Sequence, residues 1–202
     1  MKDLNNNLKD RAAFFKKISP GIAGKMSKAL QKLTMEKIKV EFSQVQSFEQ
    51  STVSVDVGEK CFGSYVNFRT PEDNLEGIVV AVFPLSSTKT LIELLFKRYL
   101  GKRDKETIDD KMKLSAFKEA DNILLSTYIK GVANALKVKL ETSVPKFVCF
   151  RNVKFIRPTL LKSYSNLESL ASVGQFKITE GTRFQLLKGA LLLFFSRSSK
   201  GE

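Results

Sequence analysis

Three polar residues on one stripe of a helix carry most of the chemical information in this sequence. In "SAFKEADN" (115–122), Ser115, Glu119 and Asn122 stand four and three residues apart. At about 100° per residue they fall within roughly 60° of arc, so they share a face. Ser126 continues the stripe, and Phe117, Ile123, Leu124, Leu125, Tyr128 and Ile129 supply apolar surface around the rest of the helix. A merely solvated helical face would be richer in Lys and Glu pairs.

The chain contains no histidine. That removes Ser-His-Asp and Cys-His nucleophilic sites, HExxH metal sites and the usual imidazole base together. Chemistry is left to carboxylates, amides, hydroxyls and lysines. Cys61 and Cys149 do not have a metal or redox spacing and read as free thiols in a cytoplasmic protein. The beginning "MKDLNNNLKD" has no apolar signal region. "IVVAVF" (78–83) and "ALLLFF" (190–195) are too short to span a bilayer and read as buried strands, so no membrane insertion is expected. The net charge of +13 is spread along the chain with acids interleaved. With no zinc finger, RNP-like strand or helix-turn-helix punctuation, nucleic-acid binding is not expected, and an acidic protein partner explains the charge at least as well.

The elements that must position the stripe follow from periodicity. From about Leu8 to Leu33, Phe14, Phe15, Ile18, Ile22, Met26, Leu30 and Leu33 recur at helical spacing. Pro20 predicts a kink or restart there, with Ser19 as N-cap. Extended segments follow at 37–45, 52–57, 64–68 and 77–84, with turn signals at Gly58 and "TPEDN". Residues 86–100 return to helical spacing, capped by Ser86, Ser87 or Thr88. Their Leu91, Leu94, Leu95 and Tyr99 form an apolar stripe best read as core. After a polar loop comes the long helix, roughly 110–136, then strand-like segments at 138–144, 146–156, 174–180 and 185–197.

Helix, strands, helix, then helix and strands suggests a duplication. Shifting the chain by 102 residues lays 15–43 over 117–145: Phe15 and Lys16 fall on Phe117 and Lys118, and Ala29 on Gly131. The shared progression from helix to strand carries more weight than the matched letters. A single domain over 1–202 is expected, with halves about 8–100 and 110–200. Its architecture would be an α/β sandwich in which two long helices pack together over a mostly antiparallel sheet.

The stripe extends further along the chain. Ser115, three residues, Glu119, two residues, Asn122, then 22 residues to Pro145 resembles the active-site signature of the CheC/CheX/FliY family of chemotaxis phosphatases. The order of elements and the "EGIVVAVFP" strand leading into a helix also look like CheC. The resemblance implies a phosphatase acting on the aspartyl-phosphate of a phosphorylated CheY-type receiver domain. It implies no cofactor of the chain's own, because Mg²⁺ and a lysine come with the receiver. Asn122 would then hold the attacking water in line, a task suited to a carboxamide. Glu119 would pair with the receiver's lysine and fix the docking register. Ser115 would order the face, and Pro145 would complete the motif. A CheD-like protein is a further partner that the resemblance allows.

This sequence departs from the double-sited pattern that many CheC proteins carry. The first-half equivalents are Ala13, Lys17 and Pro20, with Ser43 at the distal proline position. Lys17 would repel a receiver lysine and Pro20 would bend the presenting helix, so one working site is expected, on the second-half helix. Two other readings stay open. One is a non-catalytic CheC-like adaptor for a receiver, a CheD-like protein or a motor-switch component; the other is an unrelated α/β binding domain.

Overall fold

The computed structural model describes residues 8–49, 60–71, 75–97, 108–150, 170–180 and 183–197. Helix α1 (Leu8–Thr34) leads into β1 (Ile38–Glu49), β2 (Cys61–Arg69) and β3 (Leu75–Pro84), then α2 (Leu85–Phe96). The second half begins with α3 (Asp110–Leu136), followed by β4 (Glu141–Thr142), β5 (Lys146–Phe150), β6 (Leu170–Glu180) and β7 (Arg183–Arg197). Every strand pairing among the described residues is antiparallel. The sheet runs β1-β6-β7-β3-β2-β4, and β5 also pairs with β2. Read with β5 at that edge, the order is the same from either end once first-half and second-half strands are exchanged. The expected α/β architecture, an antiparallel sheet under two packed long helices, is present.

The repeat is visible in the helix ends. Helices α1 and α3 are each 27 residues long, and both of their bounds differ by the 102-residue offset. Each is followed by a residue in the left-handed region, Met35 at φ 59° and Lys137 at φ 57°, which stops the helix by turning the chain.

Both long helices lie on one face of the sheet. Phe15, Ile22, Met26 and Leu30 of α1 and Phe117, Leu124, Leu125 and Ile129 of α3 bury against Val66, Phe68, Val79, Phe83, Leu191 and Leu193. Phe117 sits edge-on to Phe83 (5.5 Å) and to Phe147 (5.8 Å), the arrangement the ring quadrupoles favour. Ile78, Val80, Val82, Leu192 and Phe194 alternate with these and are buried as well. Burial on both faces is the reason β3 and β7 read as continuous apolar runs rather than alternating ones.

Several local expectations change. Helix α1 runs through Pro20 without a restart. Proline cannot donate to the carbonyl four residues back, but Ser19 Oγ donates to that same Lys16 oxygen at 3.0 Å. The Ser19 hydroxyl therefore replaces the lost amide within the helix instead of capping a new one. Helix α2 begins earlier than expected, after Pro84, and Ser86, Ser87 and Thr88 lie inside it. Thr88 Oγ1 donates back to the Pro84 carbonyl (3.1 Å), and Ser87 Oγ accepts from the Lys188 amide of β7 (3.0 Å). Only Glu141–Thr142 of the expected 138–144 strand pairs. The segment 52–57, Gly58, Tyr99 and residues 151–156 lie outside the described residues.

Gly131 sets how closely the two long helices approach. A Cβ there would lie 2.6 Å from Ile22 Cγ1 of α1, inside any real contact. Gly131→Val is therefore expected to cost about 1–3 kcal/mol by overpacking. Urea unfolding measures that loss, and Ile22→Ala in the same chain should recover part of it, a coupling that independent sites would not show.

Candidate functional site

Helix α3 is fixed at both ends and along one side. Asp109 caps it, its carboxylate accepting from the Met112 amide at 2.7 Å, and the Lys137 amide closes the other end on the Ala133 and Asn134 carbonyls. Phe117, Ala120, Leu124, Leu125 and Tyr128 are buried. The opposite face is left to solvent, and Ser115, Glu119 and Asn122 are all exposed there. Ser115 and Glu119 make no hydrogen bond or ion pair among the described residues.

Asn122 is held in place. Ser126 Oγ, one turn on, donates to Asn122 Oδ1 at 3.3 Å, which restricts the carboxamide and leaves its Nδ2 hydrogens without a described partner. Asn122 and Ser126 line a groove of about 210 Å³ together with Lys130, Thr142, Ser143 and Pro145. The structure thus brings together Asn122 and Pro145, 23 positions apart in the chain. Glu119 and Ser115 lie toward the N-terminus of the same helix, beyond the groove lining.

The opposite wall is positioned by β2. Phe68 pairs with Thr142 and Arg69 with Glu141, and Arg69 Nε meets Glu141 Oε2 at 2.8 Å. The Asn67 amide donates to Ser143 Oγ (3.1 Å), and the Ser143 amide donates to the Asn67 carbonyl (2.9 Å). This two-residue pairing ends where the chain turns away at Val144, which is 81% exposed, and Pro145 follows on the groove wall.

Sequence reasoning passed over Asp121, between Glu119 and Asn122 on the chain but facing inward. It is fully buried, and neither carboxylate oxygen has a hydrogen-bond partner among the described residues. Ser64 Oγ of β2 is also unpartnered. Burial pushes the Asp121 pKa up to about 7, and the nearby Ser64 hydroxyl, short of a well-formed hydrogen bond, lowers it in part. The signal was in the spacing: Asp121 stands four after Phe117 and four before Leu125, on the core side of the wheel.

In the first half, Ala13, Lys17 and Pro20 are exposed on α1, and Ser43 falls at the register irregularity of β1 between Phe42 and Gln44. Cys61 is buried, Cys149 exposed, and neither is in a disulfide. Among the described residues no group of three or more Cys, Asp or Glu side chains could hold a metal ion, and no helix is long and apolar enough to cross a membrane.

No protein-family model matches the sequence, and no curated protein matches it. Solved structures do. FliY of Thermotoga maritima is 20% identical over 88% of this chain and 86% of its own, with a TM-score of 0.63. The FliM middle domain of Vibrio alginolyticus is 16% identical over 90% of this chain and 92% of its own, TM-score 0.55. FliM from a FliG–FliM complex of H. pylori is 11% identical over 93% of each chain, TM-score 0.54. At these identities the likeness establishes the fold.

Proposed function

We propose that this chain, which has the fold of FliY and the FliM middle domain, is a cytoplasmic phosphatase for the aspartyl-phosphate of a CheY-type receiver domain. The observation that carries the reading is Asn122: an exposed carboxamide, restrained by Ser126, at the edge of the groove that Pro145 lines. Glu119 is exposed on the same helix, one turn before it.

An acyl phosphate has a good leaving group, so a partner protein need only place a water in line with the P–O bond to the aspartate. Water forms the new P–O bond, the bond to the aspartate breaks, and inorganic phosphate and a free carboxylate result. Mg²⁺ brought by the receiver would supply charge neutralisation at the phosphoryl group. In this assignment Asn122 orients the water, and the Glu119 carboxylate pairs with the receiver's lysine. The rigidity of α3 matters because misplacing a reacting group by about 1 Å can cost on the order of 100-fold. Ser115 lies one turn earlier and orders the docking face without a chemical step.

The test is the decay of a phosphorylated, Mg²⁺-loaded CheY-type receiver with and without the protein. Acceleration by the wild type that falls about 10- to 100-fold in Asn122→Ala is the expected result. Full acceleration by the variant would exclude the positioning role. The likeness to FliM, one example of which was solved with FliG, favours a second reading as a non-catalytic adaptor for a receiver, a CheD-like protein or a motor-switch component. Receiver binding with unchanged decay would select it.

A further inference from the structure

The outer face of α1 has no part in the proposed phosphatase site, yet its composition is unusual. Lys17, Gly21, Gly24, Lys28 and Lys32 follow one another at spacings of four and three, so they form one stripe. All five are exposed, as are Lys16 and Lys25 beside them. None of these five lysines has an ion-pair partner among the described residues. From Lys17 to Lys28 the stripe is about 16 Å long, from a rise of roughly 1.5 Å per residue.

The two glycines are not explained by packing against the described residues. Glycine is less favourable than alanine inside a helix, and at both positions a Cβ would meet nothing within 4 Å. Gly131 on α3 offers the contrast, because there Ile22 occupies the space. What the glycines do create is a bare strip of backbone between flanking lysines, which another chain can approach closely.

The pseudo-symmetry makes the contrast chemical. At the 102-residue offset Lys17 replaces Glu119, Pro20 replaces Asn122, Gly24 replaces Ser126, and Lys28 matches Lys130. The same place on the same kind of helix has lost its carboxylate and carboxamide and gained an ammonium and open backbone.

We propose that the Lys17–Gly21–Gly24–Lys28 face of α1 is a second docking surface, for an acidic helical segment of a partner protein. Unpaired ammonium groups on both sides of a bare backbone strip suit carboxylates at helical spacing. The stripe has no arginine or aromatic side chain to stack or fork onto nucleic acid. It also lacks the apolar face that a membrane-surface helix buries. The surface is independent of the α3 site, so its failure and that of the phosphatase reading are separable.

A helical peptide of Glu and Ala, with glutamates every third or fourth position, is the probe, titrated at low salt and followed by NMR on the full chain. Shifts should concentrate on α1. Lys17, Lys25 and Lys28 changed together to Glu should weaken binding about tenfold or more, three surface pairs being worth on the order of that factor. The control reverses the exposed Lys89, Lys139 and Lys188, the same change in net charge. Gly21→Gln with Gly24→Gln should raise the melting temperature while weakening the peptide, a combination that unfolding cannot produce. Equal loss in the control, binding unaffected by either α1 variant, or tighter capture of duplex RNA or anionic vesicles by the same lysines would overturn the proposal.

Discussion

Asp121→Asn is expected to gain stability relative to the wild type as the pH rises from 4 to 8, by up to about 4 kcal/mol over that range. The Asp121 carboxyl is fully buried and its pKa is raised from 3.8 to about 7. Below pH 3.8 the folded and unfolded chains both hold the proton, so the group adds no pH-dependent term. Between pH 3.8 and 7 the unfolded chain releases the proton that the folded chain retains. Stability is therefore lost as the pH rises, at about 1.4 kcal/mol per unit, and the loss levels off above pH 7. Burial is the main cause, so solvent screening does not discount the figure, but small relaxations around the charge make it an upper bound.

The asparagine keeps the shape and removes the charge. Its amide is itself short of partners in that position, which offsets a constant part of the gain of about 1–3 kcal/mol. The pH-dependent part remains, and it is the diagnostic one. Urea midpoints of both proteins at pH 5, 6, 7 and 8 measure it. A difference that stays constant across that range would mean that Asp121 is already ionised in the folded protein and paired with something. The receiver assay on the same variant has separate value: Asn122 and Glu119 face away from the substitution, so their function should survive it.

How much of this molecule could be read from its sequence depended on whether the information was local or repeated. The bounds of α3 and the orientation of its polar stripe followed from 3.6-residue periodicity, and Ser115, Glu119 and Asn122 are exposed as the wheel places them. The offset that aligns Phe15 with Phe117 also aligns both ends of α1 and α3 and the left-handed residues that follow them, Met35 and Lys137. Pro20 misleads because Ser19 beside it has the residue type of an N-cap, whereas its hydroxyl supplies the donor that the proline lacks. The groove could not be read at all. It exists because a two-residue pairing with β2 brings 141–143 alongside α3, and a pairing that short has no period to detect. Asp121 is legible on the wheel, four residues from both Phe117 and Leu125, but a search for the polar stripe passes over it. An inward-facing carboxyl is rare enough that the apolar frame of Phe117 and Leu125 should outweigh the letter itself.

Gly63→Ala is expected to be the most damaging small substitution in the sheet. Strand β2 lies between β3 and β5, and Gly63 pairs with Val82 on one side and Val148 on the other. A Cβ at Gly63 would stand 1.8 Å from the Ala81 carbonyl oxygen and 2.9 Å from its carbon. Both are backbone atoms, so no rotamer change relieves the contact. The β2–β3 ladder must open, and β2 cannot move away freely because β5 holds its other edge. Overpacking of about 1–3 kcal/mol and the loss of one or two ladder hydrogen bonds at roughly 1 kcal/mol each give a cost of about 3–5 kcal/mol. That is a third or more of the total stability of many domains, typically about 5–15 kcal/mol. At about 2–4 °C per kcal/mol for a domain of this size, the melting temperature should fall by roughly 10 °C. The effect should reach the candidate site, since β2 also holds the Glu141–Ser143 wall through Asn67 and Arg69. Hydrogen exchange should therefore quicken at the Ser143 amide as well as along β3. An unchanged melting temperature would mean that the strands separate at this point more easily than their hydrogen bonding implies, and the close approach at Ala81 would lose its significance.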